Sequence, residues 1–312
     1  MNMKKTAVKY ILSGILIAAF GTGAGAEMLM KPGNALPFLK TGVGARALAL
    51  GGAFVGLADD ATALYWNPAG LAGLAGTAGS APRDFQFASM YSTQSSDRTY
   101  AFAGAAKKLA GDRGCAGVSF RYFKMEEIEG RNEQGGFTQN YSLNSGAVAV
   151  SYAREIKSDI RGGASLKYYY ENLVRTNAWG LGVDLGMLYR NPSALWQWGA
   201  VIQDINTGFY WDASRKDNID TTIRTGVSYR LLPDMFTAAF DLEGVWKQYL
   251  RTHAGLEYLP VKNLALRFGL DDLNLTFGLG VSFLSYELDY SFAYDEYRLG
   301  DAHNFSLTAR FE

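Results

Sequence analysis

The chain has 312 residues, with 30 basic and 30 acidic side chains, 36 glycines and 14% aromatic residues. This balanced charge gives no basic patch of the kind that binds nucleic acid, and a single cysteine, Cys115, excludes an internal disulfide. Seven prolines and the many glycines favour a β-rich chain divided by turns over a chain of long helices.

Residues 1–26 have the features of a secretory signal peptide. Three lysines precede an apolar run, and Ala24-Gly25-Ala26 forms a cleavage site of small residues. The run is shorter than the roughly 20 apolar residues that a spanning helix needs, and no later stretch of the chain reaches that length. If the chain enters a membrane, it is therefore expected to do so as a β-barrel.

Residues 27–83 form a second part of the chain, which lacks strand alternation. This part is rich in glycine and alanine, which allow close approaches of the backbone, and Asn67-Pro68-Ala69 supplies a turn. It also contains two adjacent carboxylates, Asp59 and Asp60. Such a composition is typical of a compact segment that fits against other parts of the protein.

Residues 84–312 alternate between apolar and polar side chains, which places the two kinds on opposite faces of a strand. In the stretch LNLTFGLGVSF every second residue is apolar. Most segments have ten or more residues, close to the roughly 9–11 that cross a membrane at a tilt. The pattern predicts an antiparallel transmembrane β-barrel of about 14 strands, near 84–92, 98–108, 114–124, 142–154, 159–171, 178–190, 194–204, 220–231, 234–246, 249–259, 262–270, 273–283, 285–295 and 302–312.

The connections support the barrel over a soluble β-sandwich, which would also alternate. Outer-membrane barrels have short periplasmic turns and longer external loops. Short turns are predicted near 111–112, 157–158, 191–192, 232–233, 260–261 and 284. The predicted external loops, which include the two longest connections, are 125–141, 172–177, 205–219 and 296–301.

Charged residues occupy the polar register of the predicted strands. A basic residue that faced lipid would cost about 2–4 kcal/mol at the membrane midplane, whereas charges of opposite sign that face inward can pair across strands. We therefore expect the following residues to line the lumen: Lys167, Asp184, Arg224, Arg230, Asp241, Arg251, His253, Glu257, Arg267, Glu287 and Asp289.

A barrel of about 14 strands is too wide for its own side chains to fill, so an internal plug, or hatch, is expected from residues 27–83. The stretch PFLKTGVGARALALGGAFVGLADDATALYWNPAGLAGL, residues 37–74, is similar to the opening of the PorV/PorQ family of outer-membrane proteins. It resembles more distantly the N-terminal hatch of FadL-type transporters. The resemblance assigns the hatch motif to Gly44, Arg46, Asp59, Asp60, Trp66, Asn67 and Pro68.

The resemblance implies a fourteen-stranded barrel of the FadL superfamily in the outer membrane. In Bacteroidota, some members of the PorV/PorQ family act as partners of the type IX secretion translocon or carry exported cargo proteins. For the acidic pair, the residues favour a structural use, such as hydrogen bonds to backbone amides or a salt bridge to Arg46. A catalytic use would need a raised carboxyl pKa or a bound metal.

Enzymatic and cofactor-binding functions are disfavoured. GVGARA, residues 42–47, fits a dinucleotide fingerprint, but no hydrophobic strand precedes it. His253 and His303 lie far apart and have no metal-ligand spacing, so no metal or other cofactor is predicted. A hydrolase would need one of these histidines within hydrogen-bond reach of a serine or carboxylate at the external rim.

Two functions remain open, and in both of them the protein lies in outer-membrane lipid. The first is a cell-envelope interaction barrel whose partner is a secretion translocon or an exported cargo protein. The second is a passive transporter of hydrophobic or amphipathic small molecules. The second function predicts an apolar groove between plug and wall, whereas a lumen packed throughout with paired charges would count against it.

Overall fold

A computed structural model describes residues 36–74, 84–94, 97–111, 113–174, 176–193, 195–212, 216–232, 235–245, 249–294 and 301–311. The predicted signal peptide and most of the predicted loop 296–301 lie outside these residues. Within them, no helix is both long and apolar enough to cross a bilayer.

Strands make up most of the described chain: β1 (Phe85–Gln94), β2 (Arg98–Lys108), β3 (Cys115–Arg131), β4 (Phe137–Lys157), β5 (Ile160–Leu173), β6 (Thr176–Arg190), β7 (Trp196–Gln203), β8 (Thr207–Trp211), β9 (Lys216–Ile219), β10 (Thr222–Leu232), β11 (Phe236–Val245), β12 (Tyr249–Val261), β13 (Leu264–Asp271), β14 (Asn274–Phe283), β15 (Tyr286–Ala293) and β16 (Ala302–Phe311). Four short helices precede them: two 3-10 helices (Pro37–Lys40 and Pro68–Gly73), α1 (Ala45–Ala49) and α2 (Ala63–Trp66).

The strands close into a barrel. Consecutive strands pair antiparallel around the wall, β1 pairs with β16, and β7 pairs with β10 as well as with β6. Fourteen strands thus form a closed antiparallel ring, and the hairpin of β8 and β9 extends it along β6. Closure leaves no free edge in the ring, which confirms the barrel that alternation predicts.

The faces of the wall are reversed relative to those of a soluble protein. On β6, the apolar Leu181 and Leu185 are about half exposed, whereas Asp184 between them is buried. β14 repeats the pattern, because Phe277 and Leu279 face outward and Thr276 faces inward. Outward apolar side chains suit lipid, and inward polar ones suit a lumen.

Two predicted loops and one predicted turn need correction. Residues 125–141 were expected to be a loop, but β3 and β4 continue through most of this range and turn only at 132–136. The Asn132 side chain accepts hydrogen bonds from the backbone nitrogens of Gln134 and Gly136, which fixes a tight turn there. The predicted loop 205–219 contains β8 and β9, and the turn expected at 260–261 lies at 262–263.

Residues 36–74, called the inner segment below, lie against the inward face of the wall. Nearly all of their described side chains are buried, and Asp59 is the one that is exposed. Side chains of the wall form hydrogen bonds with the backbone of the inner segment. Ser306 Oγ accepts from Ala45 N (2.7 Å), and Thr276 Oγ1 donates to Ala49 O (3.0 Å). On another side of the ring, Ser228 Oγ donates to Gly56 O at 3.0 Å.

The inner segment approaches the wall closely enough to require glycine. Gly51 has a positive φ of 66°, and a Cβ placed there would lie 2.3 Å from the carbonyl oxygen of Leu270 on β13. A side chain at this position would therefore collide with the backbone of the wall. Close approach to the wall thus explains the glycine at position 51.

The exposed turn between β3 and β4 allows a test of orientation. If β1 runs outward across an outer membrane, trypsin added to intact cells is expected to cut after Arg131, whose side chain is 59% exposed. Arg131→Gln should abolish the cut. Lys157, which is exposed at the opposite end of β4, should be cut only after the outer membrane is permeabilised. Cleavage at Lys157 without cleavage at Arg131 in intact cells would show that the barrel has the opposite orientation in the membrane.

Candidate functional site

The candidate site is the zone of contact between the inner segment and the inward face of the barrel. α1 places Arg46 in this zone, and a tight turn at Gly44 precedes the helix. Gly44 has a φ of 85°, and a Cβ there would lie 2.8 Å from the Thr62 side chain. Its backbone nitrogen points at the sulfur of Met90 on β1, 3.1 Å away.

Arg46 links the two carboxylates of the inner segment to the wall. Its Nη1 atom lies 2.6 Å from Asp59 Oδ1 and 3.3 Å from Asp60 Oδ2. Its other edge donates to both carboxylate oxygens of Glu257 on β12, from Nε at 2.9 Å and from Nη2 at 3.1 Å. Such a two-point contact is among the strongest ion pairs available to a protein.

The two adjacent aspartates differ in their surroundings. Asp60 is buried, and its Oδ1 accepts hydrogen bonds from the backbone nitrogen and the hydroxyl of Thr62, at 2.8 and 2.5 Å. Burial raises the pKa of the Asp60 carboxyl, and the positive charge of Arg46 opposes that rise. Asp59 is exposed, and its carboxylate accepts hydrogen bonds from Arg46. This arrangement is structural, in keeping with the role that the sequence favours.

The Arg46 contacts continue across the strands as a chain of charges. Arg267 on β13 donates from Nε to Glu257 (2.7 Å), and its Nη1 and Nη2 reach Asp289 (2.5 Å) and Glu287 (3.1 Å) on β15. Glu287 also pairs with Arg310 at 2.6 Å. A cavity of about 210 Å³ opens beside this chain, near the turn between β12 and β13.

A second cluster holds the middle of the inner segment. Asp241 Oδ2 on β11 accepts hydrogen bonds from the backbone nitrogens of Phe54 (2.8 Å) and Val55 (2.7 Å). His253 on β12 bonds through Nδ1 to the carbonyl oxygen of Gly51, at 2.8 Å. These contacts satisfy buried backbone groups of a segment that has little helix of its own.

Ion pairs in the wall surround this second cluster. Arg224 on β10 pairs with Glu243 on β11, and its guanidinium carbon lies 4.9 Å from the Trp66 ring centroid. His253 lies 3.5 Å from Glu243 and 3.1 Å from Asp271, and Arg251 reaches the same Asp271 at 3.1 Å. The charges are thus paired next to the inner segment rather than lining open water.

The Trp-Asn-Pro turn bonds to two earlier parts of the inner segment, at Val43 and Val55, and to the wall. Trp66 Nε1 donates to Val43 O at 2.8 Å. The amide nitrogen of the fully buried Asn67 donates to Val55 O and to Met187 O of β6, both at 3.1 Å, while its oxygen accepts from Ala69 N. Pro68 begins the second 3-10 helix, where it has no backbone N–H to satisfy.

A third charged group lies on β5 and β6. Lys167 Nζ is 2.6 Å from Asp184 and 2.7 Å from Asp204, and the Tyr169 hydroxyl donates to Asp204. Asp204 is absent from the sequence-based set, because it follows the end of β7 in a bend where its φ is 58°. Alternation along strands gives no signal for a residue in such a bend.

Of the eleven sequence-predicted lumen residues, ten are buried on the inward face. Arg230 is the exception, since it is exposed near the end of β10. The pairing of β10 with β11 shifts between Arg230 and Leu232, so alternation no longer fixes the inward direction there.

The charged clusters described above lie on one side of the lumen, and the opposite side is apolar. Leu36, Phe38 and Leu39 at the start of the inner segment pack with Tyr65 in one buried cluster. The wall contributes mainly aromatic side chains of β2, β3, β5 and β8 to it: Tyr100, Phe102, Phe123, Tyr169 and Phe209. Arg121 of β3 is buried among these rings, and sequence reasoning did not select it. The lumen therefore has a charged side and an aromatic side.

The described residues contain no candidate metal site, and of the two histidines His253 meets the carboxylate condition for a hydrolase, through Asp271 at 3.1 Å. No group of three or more histidine, cysteine or acidic residues among them could hold a metal ion. His253 is buried and bonds to a backbone carbonyl and to carboxylates. His303 bonds to the Tyr290 hydroxyl at 2.9 Å. Neither histidine is hydrogen-bonded to a serine in this part of the chain.

Comparisons with solved structures show the fold. The CymD monoaromatic hydrocarbon channel matches with a TM-score of 0.64 and 15% identity, over 87% of this chain and 98% of that chain. The toluene transporter TodX of Pseudomonas putida matches with a TM-score of 0.62 and 14% identity, over 87% and 99%. A FadL homologue of Pseudomonas aeruginosa matches with a TM-score of 0.56 and 10% identity, over 83% and 95%.

No family model and no curated protein matches the sequence. These three neighbours are channels and transporters, and they do not confirm the PorV/PorQ resemblance. At these low identities the likeness concerns the fold alone.

The Arg46 cluster predicts a specific loss of order. Arg46→Ala would leave partly buried carboxylates without their shared cation, which costs about 3–5 kcal/mol. Since the barrel ring does not depend on this contact, we expect amide hydrogen exchange to rise roughly a hundredfold or more in the inner segment and to stay unchanged in β5 and β6. Arg131→Ala, which breaks an exposed pair with Glu129, is the control and should change neither region. Unchanged exchange in the inner segment of Arg46→Ala would contradict this role.

Asn67→Asp gives a second prediction, because it keeps the size of the side chain but removes both donors. The new carboxylate would face the carbonyl oxygens of Val55 and Met187, at a cost of about 1–3 kcal/mol for each unpaired group. We expect the unfolding temperature of the protein in detergent to fall by several degrees. Asn140→Asp, at an exposed position of β4, should leave it unchanged. An equal effect of the two substitutions would show that the Asn67 donors do not stabilise the structure.

Proposed function

We propose that this chain is an outer-membrane channel for the passive transport of hydrophobic small molecules. The single observation that carries the proposal is the closed fourteen-stranded barrel with an aromatic side to its lumen. An outward apolar face fits the wall to lipid, and an inward apolar surface offers an apolar solute a path that avoids water. The similarity in fold to hydrocarbon and toluene channels supports the same function.

The inner segment is proposed to be the hatch of this channel. It contacts inward side chains on opposite sides of the ring, from Thr276 on β14 to Ser228 on β10 and Met90 on β1. A solute that follows the aromatic side would meet Leu36, Phe38 and Tyr65, all of which are buried. Transport therefore requires at least part of the inner segment to move, while the ion pairs hold the rest in register.

The distribution of charge decides between an apolar and a polar cargo. The paired charges lie on β10–β13, β15 and β16, and on β5 and β6. Aromatic contacts occupy the side of β2, β3 and β8, and β5 contributes to both sides through Lys167 and Tyr169. The lumen is thus not filled throughout with paired charges, which would have counted against a hydrophobic transporter. A protein-secretion role of the PorV type stays a prediction from the sequence motif.

A disulfide bond that can be formed and reduced, called the lock below, tests both transport and movement of the hatch. Ala45 N and Ser306 Oγ are 2.7 Å apart, so we choose Ala45→Cys with Ser306→Cys, in a Cys115→Ala background, to tie the inner segment to β16. Uptake of toluene and n-octane by cells that produce the protein is expected to exceed that of cells without it. It should fall when the lock is oxidised and return on reduction. Each single cysteine variant is the matched control.

The outcomes separate the proposals. Wild-type cells that take up neither probe faster than cells without the protein would overturn the transport function. Equal uptake with the lock open and closed would overturn movement of the hatch near α1. Extraction in mild detergent with a stoichiometric exported protein, together with absent uptake, would favour the secretion partner that the motif suggests.

A further inference from the structure

The outward register of β3 to β6 changes in character toward the end of the barrel where β3 turns into β4. Three successive rows of residues cross these four strands from partner to partner. The apolar row consists of Phe120, Val148, Tyr168 and Leu181. The aromatic row consists of Tyr122, Gly146, Tyr170 and Trp179, and the amide row consists of Lys124, Asn144, Asn172 and Asn177. Acyl chains suit the apolar row, whereas a polar headgroup suits the amide row.

The aromatic row forms a continuous surface on the outside of the wall. Gly146 leaves room for the Tyr170 ring, because a Cβ at that position would overlap the ring. Trp179 is 46% exposed, and Tyr210 of β8 extends the row, with ring centroids 5.3 Å apart. Lys216 of β9 follows as the strand partner of Tyr210, with Nζ 5.4 Å from its ring centroid. Rings with an apolar face and a polar edge suit a surface where lipid meets water.

The amide row presents unused hydrogen-bonding groups beside these rings. Asn144 Oδ1 accepts from the Tyr122 hydroxyl at 2.8 Å, and its Nδ2 has no partner in the described chain. Asn172 Nδ2 donates to Asn177 Oδ1 at 2.7 Å, so the oxygen of Asn172 and the nitrogen of Asn177 face outward without a side-chain partner among the described residues. An amide contains both donors and an acceptor. The row therefore matches a ligand with several hydroxyl groups, each of which also donates and accepts.

The opposite side of the barrel has aromatic rings without an amide row. Phe268 of β13 and Phe277 of β14 are outward partners, with ring centroids 5.2 Å apart. The next outward partners toward the turn between β13 and β14 are Leu270 and Leu275. Rings followed by leucines suit acyl chains alone. Aromatic rings followed by amides are thus a property of β4 to β6 that contact with lipid does not by itself require.

We propose that the outward face of β3 to β6, with the hairpin of β8 and β9, is a binding site for a membrane glycolipid. The acyl chains lie along the apolar row. The apolar C–H face of a sugar ring stacks on Trp179, and the sugar hydroxyl groups bond to the amide row. The surface is continuous with the lipid-facing wall, so a lipid reaches it by diffusion within the membrane. An ethanolamine phospholipid has no set of hydroxyl groups to offer to the amides.

The test uses two lipids with the same acyl chains, glucosyl diacylglycerol and phosphatidylethanolamine, added to the purified full-length protein in detergent. Native mass spectrometry measures the binding of each. We expect the wild type to prefer the glycolipid, and Asn172→Ala with Asn177→Ala to lower that preference about fivefold or more, as the loss of two hydrogen bonds predicts. Equal binding of the two lipids by the wild type would overturn the site, and so would an unchanged preference in the double variant.

A control variant and a third amide make this result specific. Asn140→Ala removes an exposed amide of β4 outside the three rows, and it should leave the preference unchanged. Asn144→Ala removes a different member of the amide row, away from the turn between β5 and β6, and should lower the preference about threefold to tenfold. Retention of the folded barrel in each variant is checked by its resistance to unfolding in cold dodecyl sulfate. A preference that depends on Asn140 as much as on Asn144 would also overturn the site.

Trp179→Ala tests the stacking surface, and Phe277→Ala is its matched control. The two rings are similarly exposed, at 46% and 43%, so both variants lose a comparable contact with acyl chains. The ratio of glycolipid to phospholipid binding should fall in Trp179→Ala and stay the same in Phe277→Ala. An equal fall in both would show that the rings act through acyl chains and would overturn the stacking of a sugar. The proposed transport concerns the lumen, so failure of either proposal leaves the other in place.

Discussion

Closure of the strand ring is the constraint on which the rest of the molecule depends. Once β1 pairs with β16, the backbone groups of the wall are satisfied inside the ring and lipid can surround it. Closure at fourteen strands also creates an interior that the inward side chains alone cannot fill. The inner segment lies against the inward face of the ring, and its small residues allow approaches such as that of Gly51 to Leu270.

The inner segment has little helix, so many of its backbone groups need hydrogen-bond partners from outside the segment. The wall supplies their partners from its inward register: Asp241 for the backbone nitrogens of Phe54 and Val55, His253 for Gly51 and Ser228 for Gly56. Such partners must be polar, and polar groups in a packed interior must be paired. The ion pairs of the lumen are thus a consequence of how the inner segment is held.

The division of the lumen into a charged side and an aromatic side gives each a separate task. The charged side fixes the inner segment from Arg46 to Asn67 against β10–β16 and β6. The aromatic side, with Phe38 between Phe123 and Tyr100, uses contacts that do not specify a single partner. In the proposed channel, an apolar molecule would replace contacts of this kind, whereas it could not replace a buried ion pair.

Period-two alternation was sufficient to predict the wall, because lipid outside and polar groups inside impose it on almost every strand. It also predicted that Asp184 and Arg267 face inward, as they do. It missed the extension of β3 and β4, where both faces are exposed and charges replace the alternation. Motif resemblance identified Arg46, but its partner Glu257 is 211 positions away. The stagger of the strands brings the two together, and no local pattern in the sequence encodes that stagger.

Asp204 and Arg121 show the same limit for the candidate site. Asp204 lies in a bend of positive φ between β7 and β8, where strand periodicity stops. Arg121 alternates correctly on β3, but its aromatic neighbours come from β2 and from the inner segment, which only the folded structure brings together. Residues whose role depends on several distant elements are those that sequence reasoning missed.

We propose that the inner segment fills the ring, and the conductance of the protein in a planar lipid bilayer is the measurement that tests this proposal. A filled lumen with paired charges should give no sustained ion current at moderate voltage, and Arg46→Ala should add brief openings at most. A steady open-pore current from the wild-type protein would show a continuous water-filled path, and it would contradict the account.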